Sequence, residues 1–364
     1  MTKIKTIAFY LPQFHPIPEN DLWWGKGFTE WTNVAKAKPL FPGHYQPHVP
    51  ADLGFYDLRL PEARKAQAEL AEKYGINGFC YWHYWFGNGK RILERPFNEV
   101  LESGEPNFPF CLAWANESWS GIWHGNPKTV LMEQVYPGVS DYISHFDYLL
   151  PAFKDKRYIK VNGKPLFLVY QPLQIPDLSL FVKTFRELAI QNGLEGLHLV
   201  ATNVEVDWDC KGNGFDALTP AVHTKDSYLK SANKMVDLYR RAKTSRLSKY
   251  YKKYFKRPTR IYNYKDAIQE FKEDAGENMY YPTVIPNWDN SPRSGVNGFV
   301  LHDSTPELFK KALKNAKNRV ESYNPENQII FIKSWNEWAE GNHLEPDLKF
   351  GHQYLQVVKD VLDH

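Results

Sequence analysis

Two carboxylates three residues apart, Glu337 and Glu340, stand in the run Trp335-Asn336-Glu337-Trp338-Ala339-Glu340-Gly341. Paired acids can break a glycosidic bond, one giving its proton to the leaving oxygen while the other acts as base or nucleophile. The indoles of Trp335 and Trp338 suit the C–H face of a sugar ring and offer a low-dielectric wall that would raise one acid's pKa. Asn336 adds an amide. An E-x-x-E pair alone is common, and two Glu at a helix start are stabilised by the macrodipole without doing chemistry. Large indoles beside acids are what a solvated surface does not explain.

The run just before, Ile329 to Ile332, is too short for an amphipathic helix and too apolar for a loop, so it reads as a buried strand. Seven similar runs precede it: 4–10, 78–84, 110–115, 166–170, 198–202, 217–220 and 280–285. Helical patterns lie between or after them at 61–74, 92–101, 141–153, 178–191, 306–320 and 354–362. About eight β-then-α units predict an α/β fold, a single (β/α)8 TIM barrel over residues 1–364 with extended βα loops. An open doubly wound sheet is the alternative, disfavoured because no Gly-rich phosphate loop follows the first strand.

A barrel collects ligand-binding groups after its strands. The expected substrate contacts accordingly follow each strand: Tyr10, Gln13 and His15 after the first, with Glu30 and Trp31 in a long loop beyond; Trp82, His83, Tyr84 and Trp85 after the second; Trp114, Asn116 and Glu117 after the third; Trp288, Asp289 and Arg293 after the seventh; Trp335 and Asn336 after the eighth. Each has a plainer reading. His15 and His83 also fit as structural histidines, Trp82, Trp85 and Trp114 as packing between barrel and helices, and Glu30 and Glu117 as caps or ion-pair members. Asp289 and Arg293 also fit as a salt bridge bracing their own loop.

Hydrophobic residues make up 43% of the 364-residue chain, enough for a sizeable core, and the 12 Trp and 22 Tyr exceed what a core needs. Surplus aromatics beside polar groups suit a carbohydrate site. The N-terminus lacks a secretory h-region, and no run of about 18 apolar residues is present, so a cytoplasmic protein is expected. Cys80, Cys111 and Cys210 have no metal-like spacing and read as buried thiols. The 12 His form no H-x-H or H-E-x-x-H set; neither a catalytic metal nor a cofactor is expected. Residues 225–265 hold fourteen Lys or Arg and two Asp in a chain of net charge +3, with Tyr and Phe interleaved. This basic, aromatic-rich insertion reads as a solvated helical face or as a surface for anions: a diphosphate-linked sugar, an anionic glycan or a membrane it touches peripherally. No nucleic-acid motif accompanies it, so nucleic acid is not an expected partner.

Tyr-Leu-Pro-Gln-Phe-His at 10–15, Gly-Phe-Thr-Glu-Trp-Thr-Asn-Val at 27–34, Tyr-Trp-His-Tyr-Trp-Phe at 81–86, Trp-Ala-Asn-Glu at 114–117, Trp-Asp-Asn-Ser-Pro-Arg at 288–293 and the 335–341 run resemble the WbsX family along essentially the whole chain. That family is associated with polysaccharide and O-antigen biosynthesis, is often labelled glycosyltransferase, and is similar to glycoside hydrolase family ninety-nine, the endo-α-mannosidases and mannanases. The resemblance implies a metal-free (β/α)8 enzyme acting with retention on an α-linked glycan. By the same resemblance Glu337 assists attack by the sugar's own 2-hydroxyl, and Glu340 is general acid and then base. The hydrolases usually carry His where this chain has Ala339, and Thr-Gln where it has Asn342-His343, so contacts around the acids differ. The expected activity is therefore cleavage of a mannosyl- or rhamnosyl-type oligo- or polysaccharide, lipid- or diphosphate-linked substrates included. The alternatives are a glycosyltransferase, for which Asp207-Trp208-Asp209 offers a weak D-x-D metal pattern, and a glycan-binding subunit without chemistry.

Overall fold

The structure, a computed structural model, describes residues 4–120, 130–220, 253–258, 260–270 and 276–362. Most of the basic segment, 225–252 and 259, lies outside the described residues.

The eight apolar runs form parallel strands: β1 (Lys5–Tyr10), β2 (Gly78–His83), β3 (Phe110–Trp114), β4 (Lys164–Val169), β5 (His198–Ala201), β6 (Ala217–Leu218), β7 (Thr283–Val284) and β8 (Ile329–Ile332). Their order around the sheet is β7-β8-β1-β2-β3-β4-β5-β6. A parallel bridge between Leu218 and Tyr280 brings β6 against the chain leading into β7, which completes the circuit of a (β/α)8 barrel. Strands enclosed on both faces must be apolar on both, and Ile329, Ile330, Phe331 and Ile332 are each fully buried. Burial of such a side chain contributes about 1.5–3 kcal/mol. Cys80 and Cys111 face each other across β2 and β3 as buried free thiols, as their spacing implied.

The long loop after β1 contains two short helices the sequence did not signal, α1 (Pro18–Trp24) and α2 (Glu30–Lys36). The outer helices follow: α3 (Pro61–Lys73), α4 (Arg95–Ser103), α5 (Val139–Lys154), α6 (Leu178–Gln191), α7 (Pro306–Val320) and α8 (Gln353–Leu362). Proline in the first turn starts α3, α4 and α7, where a missing N–H costs nothing. Asp177 caps α6 by accepting from the Leu180 N–H at 3.0 Å. No helix among the described residues is long and apolar enough to cross a membrane.

A second, smaller sheet was not legible beforehand. Phe299–His302 pairs in parallel with Arg260–Asn263 and antiparallel with Trp288–Asp289. Its pairing is between short, distant segments, so no local periodicity announces it.

Candidate active site

Two Asn-Glu dipeptides build the mouth of the barrel. Beyond β8, Asn336 accepts from the Leu11 N–H at 2.7 Å and donates to the Leu11 carbonyl at 3.0 Å. Beyond β3, Asn116 accepts from the Gln171 N–H at 2.7 Å and donates to the Gln171 carbonyl at 2.8 Å. In each case an amide supplies one extra rung between strand ends, satisfying backbone groups that the sheet no longer pairs. The residue after each clamp, Glu337 and Glu117, faces a cavity of about 670 Å³.

Glu337 Oε1 accepts from the Trp82 indole N–H at 2.8 Å. Glu340 Oε1 accepts from Arg293 Nη1 at 2.6 Å, while Arg293 Nε donates to Glu30 Oε2 at 2.9 Å. One guanidinium therefore bridges two buried acids from different loops. The two catalytic candidates differ in acidity. Burial alone would raise Glu337, but the charges of Lys333 and Arg293, with the Trp82 bond, hold it below the ordinary carboxylate range. Burial pushes Glu340 up to about 7 against the pull of Arg293, and the neighbouring charge of Glu337 adds to the rise. Burial also raises Glu117. The cavity thus holds one ionised carboxylate beside one that keeps its proton to near neutrality.

Of the residues expected to meet substrate, Gln13, Glu30, Trp82, Tyr84, Glu117, Trp288 and Arg293 line the cavity with Glu337 and Glu340. Tyr10, His15, Trp31, His83, Trp85, Trp114, Asn116, Asp289, Trp335 and Asn336 lie off its wall. The reason for most is the period of two along extended chain, which sends successive side chains to opposite faces. Leu11 and Gln13 line the cavity; Tyr10 instead donates to Gln67 Oε1 at 2.7 Å. Trp82 and Tyr84 line it; His83 contacts His145 through the two Nε2 atoms at 2.9 Å, and Trp85 donates to Asp141 at 3.1 Å. Ala115 and Glu117 line it; Trp114 donates to the Trp85 carbonyl at 2.9 Å, beneath α5.

The rest are held by packing. His15 is buried, which pushes its pKa down to about 4. Trp31 donates to the Tyr56 carbonyl at 2.7 Å, and Trp335 packs on Phe79. The Asp289–Arg293 brace does not form. Asp289 is bonded instead by His44 and Gln46, each at 2.6 Å; burial would raise it, and these bonds hold it below the usual range. Trp338, expected as a wall beside the acids, turns its N–H to Glu345 Oε2 at 2.6 Å.

The sequence reading passed over three groups. Lys333, the residue that follows β8, and Arg260, one of the many basic residues of the 225–265 segment, both line the cavity. Glu345 is buried, accepts from Gln67, Tyr56 and Trp338, and is pushed up to about 7 chiefly by burial. Asp207 and Asp209 of the D-x-D pattern are exposed and off the cavity wall, and Asp209 holds a turn by accepting from the Gly212 N–H. Among the described residues His48, His343 and Asp347 place ligand-type atoms within 4.8 Å of one another. His343 Nδ1 donates to the Glu345 carbonyl, and its Nε2 accepts from His48 Nδ1 at 2.8 Å, so hydrogen bonds engage both ring nitrogens of His343 and one of His48.

The model of a family described as Glycosyltransferase WbsX matches residues 6–358. The protein WxcX from two strains of Xanthomonas campestris pv. campestris is 36% identical over 365 residues, covering 98% of this chain. The chain spans about half the length of these relatives, 49%. Among solved structures, the endo-alpha-mannosidase of glycoside hydrolase family 99 from Bacteroides thetaiotaomicron superposes with a TM-score of 0.59 at 17% identity, covering 100% of this chain and 98% of that one. Its complex with bis-tris propane gives 0.59 at 16% identity, with the same coverage. A glycoside hydrolase-like protein gives 0.60 at 15% identity, covering 100% of this chain and 94% of that one. At such identities these likenesses show the fold.

Proposed function

The chain belongs to the WbsX family, and from that membership and the cavity's chemistry we propose that it is a carbohydrate-active enzyme, a retaining endo-acting α-glycosidase of mannosyl- or rhamnosyl-type glycans. The observation that carries this reading is that two carboxyls face one cavity in different settings, Glu337 bonded by the Trp82 indole and Glu340 by the Arg293 guanidinium; these settings hold Glu337 down, while burial pushes Glu340 up to about 7. Separated acidities are what an acid/base pair requires. The family's description as a glycosyltransferase and the likeness in fold to an endo-alpha-mannosidase support the same broad substrate class, a glycan.

In the first step Glu337 takes the proton of the sugar's 2-hydroxyl, O2 attacks the anomeric carbon, and the bond to the leaving oxygen breaks. Glu340 gives that oxygen its proton. In the second step Glu340, now a carboxylate, removes a proton from water; water attacks the anomeric carbon, the bond to O2 opens, and Glu337 returns its proton to O2. Two inversions give retention. No metal or cofactor enters either step.

A second reading, glycosyl transfer in polysaccharide biosynthesis, is favoured by the family's description and by the cations Arg260 and Lys333 on the cavity wall. A lipid- or diphosphate-linked substrate and a membrane contact through the 225–265 segment belong to that reading. The test is incubation with α-mannan, rhamnan and the source cell's O-polysaccharide, with and without EDTA and sugar nucleotide. EDTA-resistant cleavage lost in both Glu337→Gln and Glu340→Gln supports hydrolysis. Transfer that requires the sugar nucleotide replaces it with the second reading, and binding without turnover overturns both.

A further inference from the structure

Among the described residues, nothing hydrogen-bonds or ion-pairs with the Lys333 ammonium, a cation of this site. Its ammonium lies 5.3 Å from the ring centre of Trp82 and 5.3 Å from that of Trp288, between two indole faces on the cavity wall. Other buried or half-buried cations have carboxylate partners: Arg64 with Glu99, Arg157 with Asp155 and, on this same cavity wall, Arg293 with both Glu30 and Glu340. The acids whose charge Lys333 feels are Glu337, Glu340 and Glu117, and among the described residues none of them forms an ion pair with it. Two indoles hold an ammonium in place through their π faces but take none of its three N–H donors.

The wall continues in the same character. Trp288 packs edge-on against Phe299 at 6.4 Å, and the Arg260 guanidinium lies 5.2 Å over the Phe299 ring. Two cations thus flank a pair of rings along one side of the cavity. Such a strip suits a sugar whose ring stacks on the aromatics and whose substituent is negatively charged, because a partly dehydrated ammonium bonds most strongly to an anionic oxygen.

We propose that Lys333 is the anchor for an oxyanion carried by the substrate, either the carboxylate of an acidic sugar or the phosphate of a sugar phosphate or diphosphate. This rests on the cavity being the glycan site, as proposed above.

The test measures binding by calorimetry at matched ionic strength, using pyrophosphate, methyl α-glucuronide and, as neutral control, methyl α-mannoside. The wild type should bind at least one anion more tightly than the control. Glu337→Gln, which removes a facing negative charge, should bind it at least as well. Lys333→Met should weaken it roughly 10- to 100-fold, and Lys333→Arg should retain most of the affinity. Preference for pyrophosphate identifies a phosphate group and preference for the glucuronide an acidic sugar. Equal affinity for anions and control, or unchanged anion binding in Lys333→Met, overturns the proposal. Should Lys333→Met not fold, the ¹³Cε resonance of Lys333, assigned through Lys333→Arg, serves instead: it moves on anion addition, and a resonance that stays put overturns the proposal. Because binding is read without turnover, a chain that cleaves a neutral α-glycan but binds no oxyanion removes this inference and leaves the proposed reaction. Oxyanion binding without glycan turnover does the reverse.

Discussion

Asn336 grips the backbone of Leu11 in both directions, accepting its N–H at 2.7 Å and donating to its carbonyl at 3.0 Å. The residue that closes the seam between β8 and β1 is therefore the neighbour of the carboxylate that faces the cavity. Aim and closure are set by one side chain.

Asn336→Ala should leave two buried backbone groups of Leu11 unpaired and cost about 1–3 kcal/mol for each. Urea unfolding measures it. Asn116→Ala should behave alike at Gln171. A change under about 0.5 kcal/mol in either variant would show that water replaces the amide, contrary to the clamp.

Removing either acid should cost about 10²- to 10⁴-fold in kcat. For Glu340→Gln, an activated leaving group with azide should restore part of the rate, since the first relieves the need for a proton donor and the second the need for a base. Absence of rescue assigns Glu340 another role.

The pH profile of kcat/KM should be bell-shaped. Glu337 must be ionised, so the acid limb falls below 4.5; Glu340 must be protonated, so the basic limb falls near 7. Arg293 lowers Glu340, so Arg293→Met should move the basic limb upward. It should also cost about 3–5 kcal/mol of stability by leaving buried charge unpaired. An unmoved basic limb detaches that limb from Glu340.

Gly341 has φ +56°, and a Cβ there would lie 2.9 Å from Asp289 Cβ and 3.0 Å from the Asp289 N. Gly341→Ala should therefore cost roughly 1–3 kcal/mol, measured by thermal unfolding. Its effect should exceed that of Gly54→Ala, where φ is also positive but nothing crowds the site.

Stability should rise with pH between 4.5 and 6.5. Burial holds His15 and His198 at about 4 and His48 and His83 at about 3, all below the usual 6.5, so the unfolded chain binds more protons in that window. Glu340 and Glu345, raised from 4.5 to about 7, act in the opposite sense: the folded chain holds their protons longer and loses stability as pH rises. The histidines outnumber them. Glu345→Gln removes one opposing contribution and should steepen the rise in the urea midpoint; a flatter rise would contradict the assignment.

What sequence alone determined was the barrel and the chain positions of its chemistry. Eight apolar runs set eight strands because a strand buried on both faces has no alternation to hide, and polar residues after each run place the cavity at the strands' carboxyl ends. Composition could not say which of Tyr81 to Phe86 face inward, since all are aromatic or His; the pleat decided, turning Trp82 and Tyr84 to the cavity and His83 and Trp85 to α5. Pairings across the chain were likewise invisible. Arg293 reaches Glu30 and Glu340 rather than nearby Asp289, and Lys333 stands between Trp82 and Trp288, because the barrel brings β1, β2, β7 and β8 to one mouth. Local patterns encode burial and period; the acidity of Glu337 and Glu340 depends on charges whose distance only closure of the barrel fixes.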